Sequence, residues 1–143
     1  GRRAQPDVPW RYVADLAALA AEVDFLVVAC PGGPATRGLV DARILAALGA
    51  EGTLINIARG SIVDEPALVD ALQRGVIKAA GLDCFADEPN VPPALLEMDN
   101  VVLLPHVGSA TRETRQAMAD LCRGNLDAWF GGQRLLTPVP ELA

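Results

Sequence analysis

Arg59, Glu88 and His106 are the side chains in this sequence whose types and placement could do chemistry together, and His106 is the sole histidine. An arginine offers a planar fork that binds a carboxylate with two hydrogen bonds and can polarise a neighbouring carbonyl. A histidine near neutrality can hand a proton to a developing alkoxide or take one from a hydroxyl. A carboxylate on the far ring nitrogen fixes the tautomer and stabilises the protonated ring. Beside a hydride donor, that set has what reduction of a 2-keto acid to a 2-hydroxy acid requires. Each residue also has a plain reading alone: His106 as a surface hydrogen-bonding group, Arg59 as a solvated charge or helix-cap partner, Glu88 as part of a turn before Pro89, and Asp83 as a cap.

What gives the set its weight is the elements that must position it. Asp24–Cys30 (DFLVVAC) is a continuous run of strand formers ended by Pro31-Gly32-Gly33-Pro34, and Thr53–Ile57 (TLINI) is a second strand. Ile77–Leu82 leads through small residues into Asp83, and Val101–Leu104 (VVLL) stops at Pro105. Helical patterns alternate with these runs: Asp15–Glu22, Asp41–Leu48 ended by Gly49, and a helix capped by Asp64 and closed by Gly75. From Thr111, the spacing of Ala117, Met118, Leu121, Cys122, Leu126, Trp129 and Phe130 predicts one long amphipathic helix stopped by Gly131-Gly132. The stretch 87–93 (DEPNVPP) reads as an ordered loop. Apolar strands separated by helices predict an α/β domain, a doubly wound parallel sheet covered on both faces. Such sheets bind ligands at the carboxyl ends of their strands. That edge collects C-P-G-G-P-A-T after the first strand, Arg59 after the second, Asp83 and Glu88 after the third, and His106 after the fourth.

The composition of these 143 residues narrows the alternatives: 51% are hydrophobic, 21% are charged, and the net charge is −6. This profile argues for one globular domain, and against disorder, a broad nucleic-acid face or a polybasic membrane patch. The longest purely apolar runs, such as Phe25–Cys30, are far short of the roughly 18 residues a membrane span needs. Cys30, Cys84 and Cys122 are odd in number and contain no C-x-x-C pair, so neither a disulfide framework nor a cysteine metal site is expected, and a reducing cytosol is the natural setting.

Three motifs carry a family resemblance: I-N-I-A-R-G-S-I-V-D-E at 55–65, G-L-D-C-F-A-D-E-P at 81–89 and L-P-H-V-G-S-A-T at 104–111. In these the sequence resembles the D-isomer-specific 2-hydroxyacid dehydrogenases, and within them the glyoxylate/hydroxypyruvate reductases. The resemblance implies a Rossmann-like fold, NADP(H) as cofactor, and a small 2-keto or 2-hydroxy acid as substrate. It also implies a cytosolic homodimer without metal. Arg59 would bind the substrate carboxylate, His106 would be the acid/base and Glu88 its partner. Asp83 would face the nicotinamide carboxamide. Cys30, Pro31, Thr36, Ile57 and Ala58 would line the cofactor path, with Gly108 allowing close backbone approach. The family usually has Val where Cys84 stands, which marks Cys84 as a packing residue. Gly1-Arg2-Arg3 resembles the family's strand ending that accommodates the 2′-phosphate of NADP, where an acid would favour NAD.

The chain opens at Gly1 without an initiator methionine, and no G-x-G-x-x-G occurs in it. By the resemblance, residues 1–143 are expected to be the C-terminal part of the nucleotide-binding domain, with 111–130 the helix leading back toward a substrate domain. Such a piece, lacking the glycine turn that holds a pyrophosphate at a helix N-terminus, is expected to bind cofactor poorly and not to turn over alone. Two other readings accommodate the same residues. One is a non-catalytic, nucleotide-regulated binding module like the superfamily's transcriptional corepressors, although a pure binder has no need of the whole set. The other is an inactive fragment of the enzyme.

Overall fold

Four helices begin where a short polar side chain can satisfy backbone N–H groups that the first turn leaves without partners. In the computed structural model, which describes residues 3–139, Asp15 accepts from the Ala17 and Ala18 amides at 3.3 and 3.2 Å and starts α1 (Leu16–Ala20). Asp41 accepts from Ile44 at 3.0 Å to start α2 (Ala42–Leu48), and Asp64 accepts from Ala67 at 3.1 Å to start α3 (Glu65–Gln73). Gly75, just past the end of α3, takes φ +67°, a left-handed conformation glycine adopts without steric cost.

Between the helices run β1 (Phe25–Val28), β2 (Thr53–Asn56), β3 (Ala79–Leu82) and β4 (Val101–Leu103), all parallel and ordered β1-β2-β3-β4. The register aligns Leu26, Leu54, Ala80 and Val101 in one row, and Val28, Asn56, Leu82 and Leu103 in the next. Those two rows share a face. Against it pack Ala20 of α1, Ile44 and Leu45 of α2, and Leu68 and Leu72 of α3, forming the buried core. The opposite face carries Phe25, Val27 and Val102, which are 65%, 54% and 63% exposed. The Rossmann-like parallel architecture is as expected from the sequence, but coverage of both faces is not what the described residues display. The reason is the handedness of the crossovers. Strands that follow one another in chain order through connections of one hand place every intervening helix on the same side.

A short helix, α4 (Pro93–Leu96), occupies part of the segment read from the sequence as loop and its margin. Pro93 stands in its first turn, where a missing N–H costs nothing, and Leu95 reaches the core.

The chain forms two compact units that divide between His106 and Val107. In the second unit Thr111 accepts from the Thr114 amide at 3.2 Å and starts the long helix α5 (Arg112–Phe130), capped by Gly131. Asn125 ties residues 133–137 back to this helix, donating to Thr137 Oγ1 at 3.0 Å and accepting from the Thr137 amide at 3.1 Å. Ala128 is the buried residue of α5. Met118, Leu121, Leu126, Trp129 and Phe130, on the apolar face read from the spacing, are exposed.

Candidate active site

The site begins with a polar residue in an apolar strand. Asn56 ends β2 and is 1% exposed, so its amide must find partners inside the protein. Its Oδ1 accepts from the Ala58 amide and its Nδ2 donates to the Arg59 carbonyl, both at 3.1 Å. These two bonds shape the turn that carries Arg59. The Arg59 guanidinium donates from Nη1 to the Ala58 carbonyl at 2.6 Å, and the side chain is exposed at the edge of a cleft. A Cβ on Gly32 would lie 2.8 Å from Arg59 Cγ, so the loop after β1 needs glycine to lie against the arginine stem.

Gly60 makes the tightest approach. A Cβ there would stand 1.9 Å from the Phe85 carbonyl carbon and 2.3 Å from the Ala86 nitrogen, which are both backbone atoms. The loop after β2 is therefore pressed on the loop after β3, and glycine is the residue that permits it. Gly60→Ala is expected to destabilise the fold by about 2–4 kcal/mol, the scale of a forced backbone shift in a packed site. A denaturant midpoint measured by circular dichroism checks this, and an unchanged midpoint would contradict the close approach.

The loop after β3 starts at Asp83, whose backbone N–H donates to the Asn56 carbonyl at 3.0 Å and whose side chain is buried. Cys84 is 3% exposed. Burial first, then the Glu88 and Asp83 carboxylates, push its thiol up to about 11. It remains protonated at neutral pH and is a packing group rather than a nucleophile.

Glu88 accepts from the Phe85 amide at 3.1 Å, and its two oxygens lie 3.0 and 2.9 Å from His106 Nδ1. The hydrogen bond to His106, followed by the one from Phe85, holds the Glu88 carboxyl below its ordinary value of 4.5. With Glu88 ionised, Nδ1 of the imidazole carries the hydrogen it donates to the carboxylate, and Nε2 of the neutral ring is left as a proton acceptor. His106 stands at φ +54°, in the left-handed region that non-glycine residues seldom occupy.

The depressed Glu88 group has a consequence for stability. Its contribution is complete above 4.5 and is lost as the pH falls through the lower, folded-state value. Glu88→Gln should therefore flatten the pH dependence of unfolding on the acid side of 4.5. Because both side chains are partly exposed, the effect is modest. Parallel urea titrations of the two proteins across that range decide it, and superimposable acid limbs would count against the pairing.

Arg59, Glu88 and His106 thus meet along one open cleft of about 850 Å³ at the carboxyl ends of the strands. Cys30, Pro31, Ile57 and Ala58 line it as well, together with Gly32 and Phe85. An adjoining apolar cavity of about 280 Å³, formed by Phe85, Val91, Leu96, Leu103 and Leu104 among others, also reaches Glu88 and His106. Other residues singled out from the sequence stand elsewhere. Thr36 does not line the cleft; its hydroxyl donates to the Pro31 carbonyl at 2.8 Å and braces that loop from behind. Asp83 is buried at the end of β3 and does not line it either. Arg3 is exposed, Arg2 lies outside the described residues, and Gly108 belongs to the second unit.

Sequence reading missed Asn56, Gly32 and Gly60. The signal for Asn56 was present, since an amide inside T-L-I-N-I must be satisfied if the strand is buried. Gly32 and Gly60 left no signal, because the atoms that exclude a side chain come from distant parts of the chain. The cleft suits a nicotinamide-type ring on one count. The small residues Cys30, Gly32, Gly33 and Ala58 line it, together with the exposed apolar side chain of Ile57. Among the described residues no group of three or more His, Cys, Asp or Glu side chains could hold a metal ion, and no helix is long and apolar enough to cross a membrane.

Comparison with known proteins finds relatives over most of the chain. Residues 2–108 match the family model of the D-isomer specific 2-hydroxyacid dehydrogenase NAD binding domain. The chain is 54% identical to glyoxylate/hydroxypyruvate reductase A of Arabidopsis thaliana over 96% of its own length and 44% of that protein's. It is 52% identical to a hydroxyphenylpyruvate reductase of Plectranthus scutellarioides, with the same two coverages, 96% and 44%. Among solved structures, an NADPH-dependent glyoxylate/hydroxypyruvate reductase from Sinorhizobium meliloti, in complex with NADP and malonate, superposes with a TM-score of 0.95 at 51% identity, covering 99% of this chain and 44% of that one. The chain therefore spans less than half the length of these relatives. With its parallel sheet, its strand-end cleft and a matching stretch that takes in Arg59, Glu88 and His106, the chain belongs to the D-isomer specific 2-hydroxyacid dehydrogenase family.

Proposed function

We propose that this chain provides the proton-handling and carboxylate-binding part of a reductase that converts small 2-keto acids, such as glyoxylate or hydroxypyruvate, to D-2-hydroxy acids with NADPH. The observation that carries the reading is the bond of 2.9 Å between His106 Nδ1 and Glu88 in the cleft that Arg59 also lines. Arg59 presents its fork to the substrate carboxylate and polarises the adjacent carbonyl. His106 delivers the proton from Nε2 to the carbonyl oxygen as negative charge grows there. Glu88, already ionised, stabilises the imidazolium before transfer and keeps Nδ1 protonated after it. The bound cofactor would supply the hydride.

Cys30, Pro31, Ile57 and Ala58 would lie along the nicotinamide side, with Thr36 bracing that loop. Asp83 and Gly108 would complete the nicotinamide surroundings, and Arg2 and Arg3 would meet the 2′-phosphate. NADP in the Sinorhizobium meliloti relative supports this choice of cofactor. By family resemblance, residues 1–143 are the C-terminal part of the nucleotide-binding domain, 111–130 leads toward a substrate domain, and the enzyme works as a cytoplasmic homodimer.

The test joins this chain to the upstream half of the Sinorhizobium meliloti relative and follows nicotinamide absorbance with glyoxylate and with hydroxypyruvate. NADPH-dependent turnover is expected from the joined protein and none from residues 1–143 alone. A folded, NADPH-binding joined protein that reduces neither acid would overturn the reading.

A further inference from the structure

We propose that Glu65 is a positioning residue that sets the Glu88–His106 pair by holding the Phe85–Ala86 peptide; the inference rests on the reading of that pair as the proton-handling device.

Glu65 occupies the first position of α3, but Asp64, not Glu65, caps that helix. The Glu65 side chain reaches away from its own helix instead. Its Oε1 accepts from the Ala86 amide at 2.7 Å, across 21 residues of chain. That is a short bond to an ionised acceptor, the stronger class of hydrogen bond. One residue earlier, the Phe85 amide donates to Glu88 Oε1 at 3.1 Å. Two successive amides are thus held by two carboxylates, one from α3 and one from the proton-handling pair. Gly60 presses on the same peptide, and its lack of a side chain is what allows that contact.

Farther along the loop, Asn90 bonds within it, to the Asp87 carbonyl at 2.7 Å and the Asp87 carboxylate at 3.0 Å. Those bonds shape the loop without tying it to the sheet. Glu65 is therefore a principal tether between the Glu88 loop and the rest of the unit. If it lets go, the Phe85–Ala86 peptide can rotate, the backbone at Phe85 shifts with it, and the Phe85 N–H on the preceding peptide loses the alignment with Glu88 that aims the carboxylate at Nδ1. Because Arg59 and Glu65 belong to one short segment, the same tether keeps the carboxylate-binding residue in register with the proton donor.

His106 is the sole histidine, so its ring resonances can be followed by NMR without ambiguity in this 143-residue chain. Glu88 is its direct partner, and the other charged groups near the pair are Arg59 on the cleft, Glu65, Asp83 and Asp87. Two substitutions separate holding from charge. Glu65→Asp keeps the charge but is one methylene too short to reach Ala86, whereas Glu65→Gln removes the charge and keeps an oxygen acceptor. Glu88→Gln calibrates the experiment and should shift the His106 Nδ1 resonance, because a charge-assisted bond becomes a neutral one. We expect Glu65→Asp to move the Nδ1 resonance in the same direction by a smaller amount and to shift the Phe85 and Ala86 amide resonances, with Glu65→Gln close to the parent on both. The opposite ranking would mean that Glu65 acts by charge alone, and would overturn the proposal. So would an unmoved Nδ1 resonance in Glu65→Asp alongside a shifted one in Glu88→Gln. If Glu88→Gln itself leaves His106 unmoved, the pair is not formed and the proton-handling reading fails together with the inference built on it.

Discussion

Replacing His106 with Asn, in this chain joined to the upstream half of its Sinorhizobium meliloti relative, is expected to lower kcat by about 10²–10⁴-fold, the scale of a lost general acid. Affinity for NADPH should be nearly unchanged. Asn is the informative substitute because His106 stands at φ +54°, where Asn is among the few residues that sit with little penalty. A side chain intolerant of that conformation would confuse a chemical loss with a backbone one. Asn cannot deliver a proton, so water must take over. The substitution also releases Glu88 toward its ordinary value, since the bond to His106 is the largest cause of its depression. Stopped-flow turnover together with NADPH fluorescence titration separates the two effects. Parallel loss of turnover and cofactor binding would make His106 a structural residue and remove it from the chemistry.

Arg59→Ala should lower kcat/KM for a 2-keto acid by about 10²–10³-fold, corresponding to removal of one member of a desolvated, hydrogen-bonded charge pair. Most of the loss should appear in KM, because the carboxylate is held throughout the reaction. Arg59→Lys should fall between Ala and the parent, because it restores charge without the planar fork. A carbonyl substrate lacking the carboxylate provides the control: its already poor turnover should change little in Arg59→Ala. An unchanged KM for the keto acid would assign the carboxylate to a different group.

The elements were legible because their signals are local. Asp15, Asp41, Asp64 and Thr111 cap helices within three residues of themselves, and each strand announces itself as an apolar run closed by proline, glycine or a polar turn. The placement of Arg59 and His106 followed from one rule about parallel sheets and needed no knowledge of distances. The face left uncovered by α1, α2 and α3 was not legible. Apolar residues alternate onto both faces of every strand, and composition does not say which face the crossovers cover. α5 illustrates the same limit, since its spacing marks an apolar stripe whether or not anything packs on it.

What the sequence by itself determined was the set of reactive groups, the order in which strands deliver them to one edge, and the family to which their motifs belong. Only the tertiary structure decided how the groups engage. Glu88 and His106 are 18 residues apart, Glu65 and Ala86 are 21 apart, and Gly60 meets Phe85 from another loop. Such contacts depend on the relative position of loops fixed by β2, β3 and β4, to within tenths of an ångström. Residue types and spacing carry no such information, because the free energy that holds the loops comes from the buried rows of Leu54, Ala80 and Leu82 beneath them rather than from the reactive residues themselves.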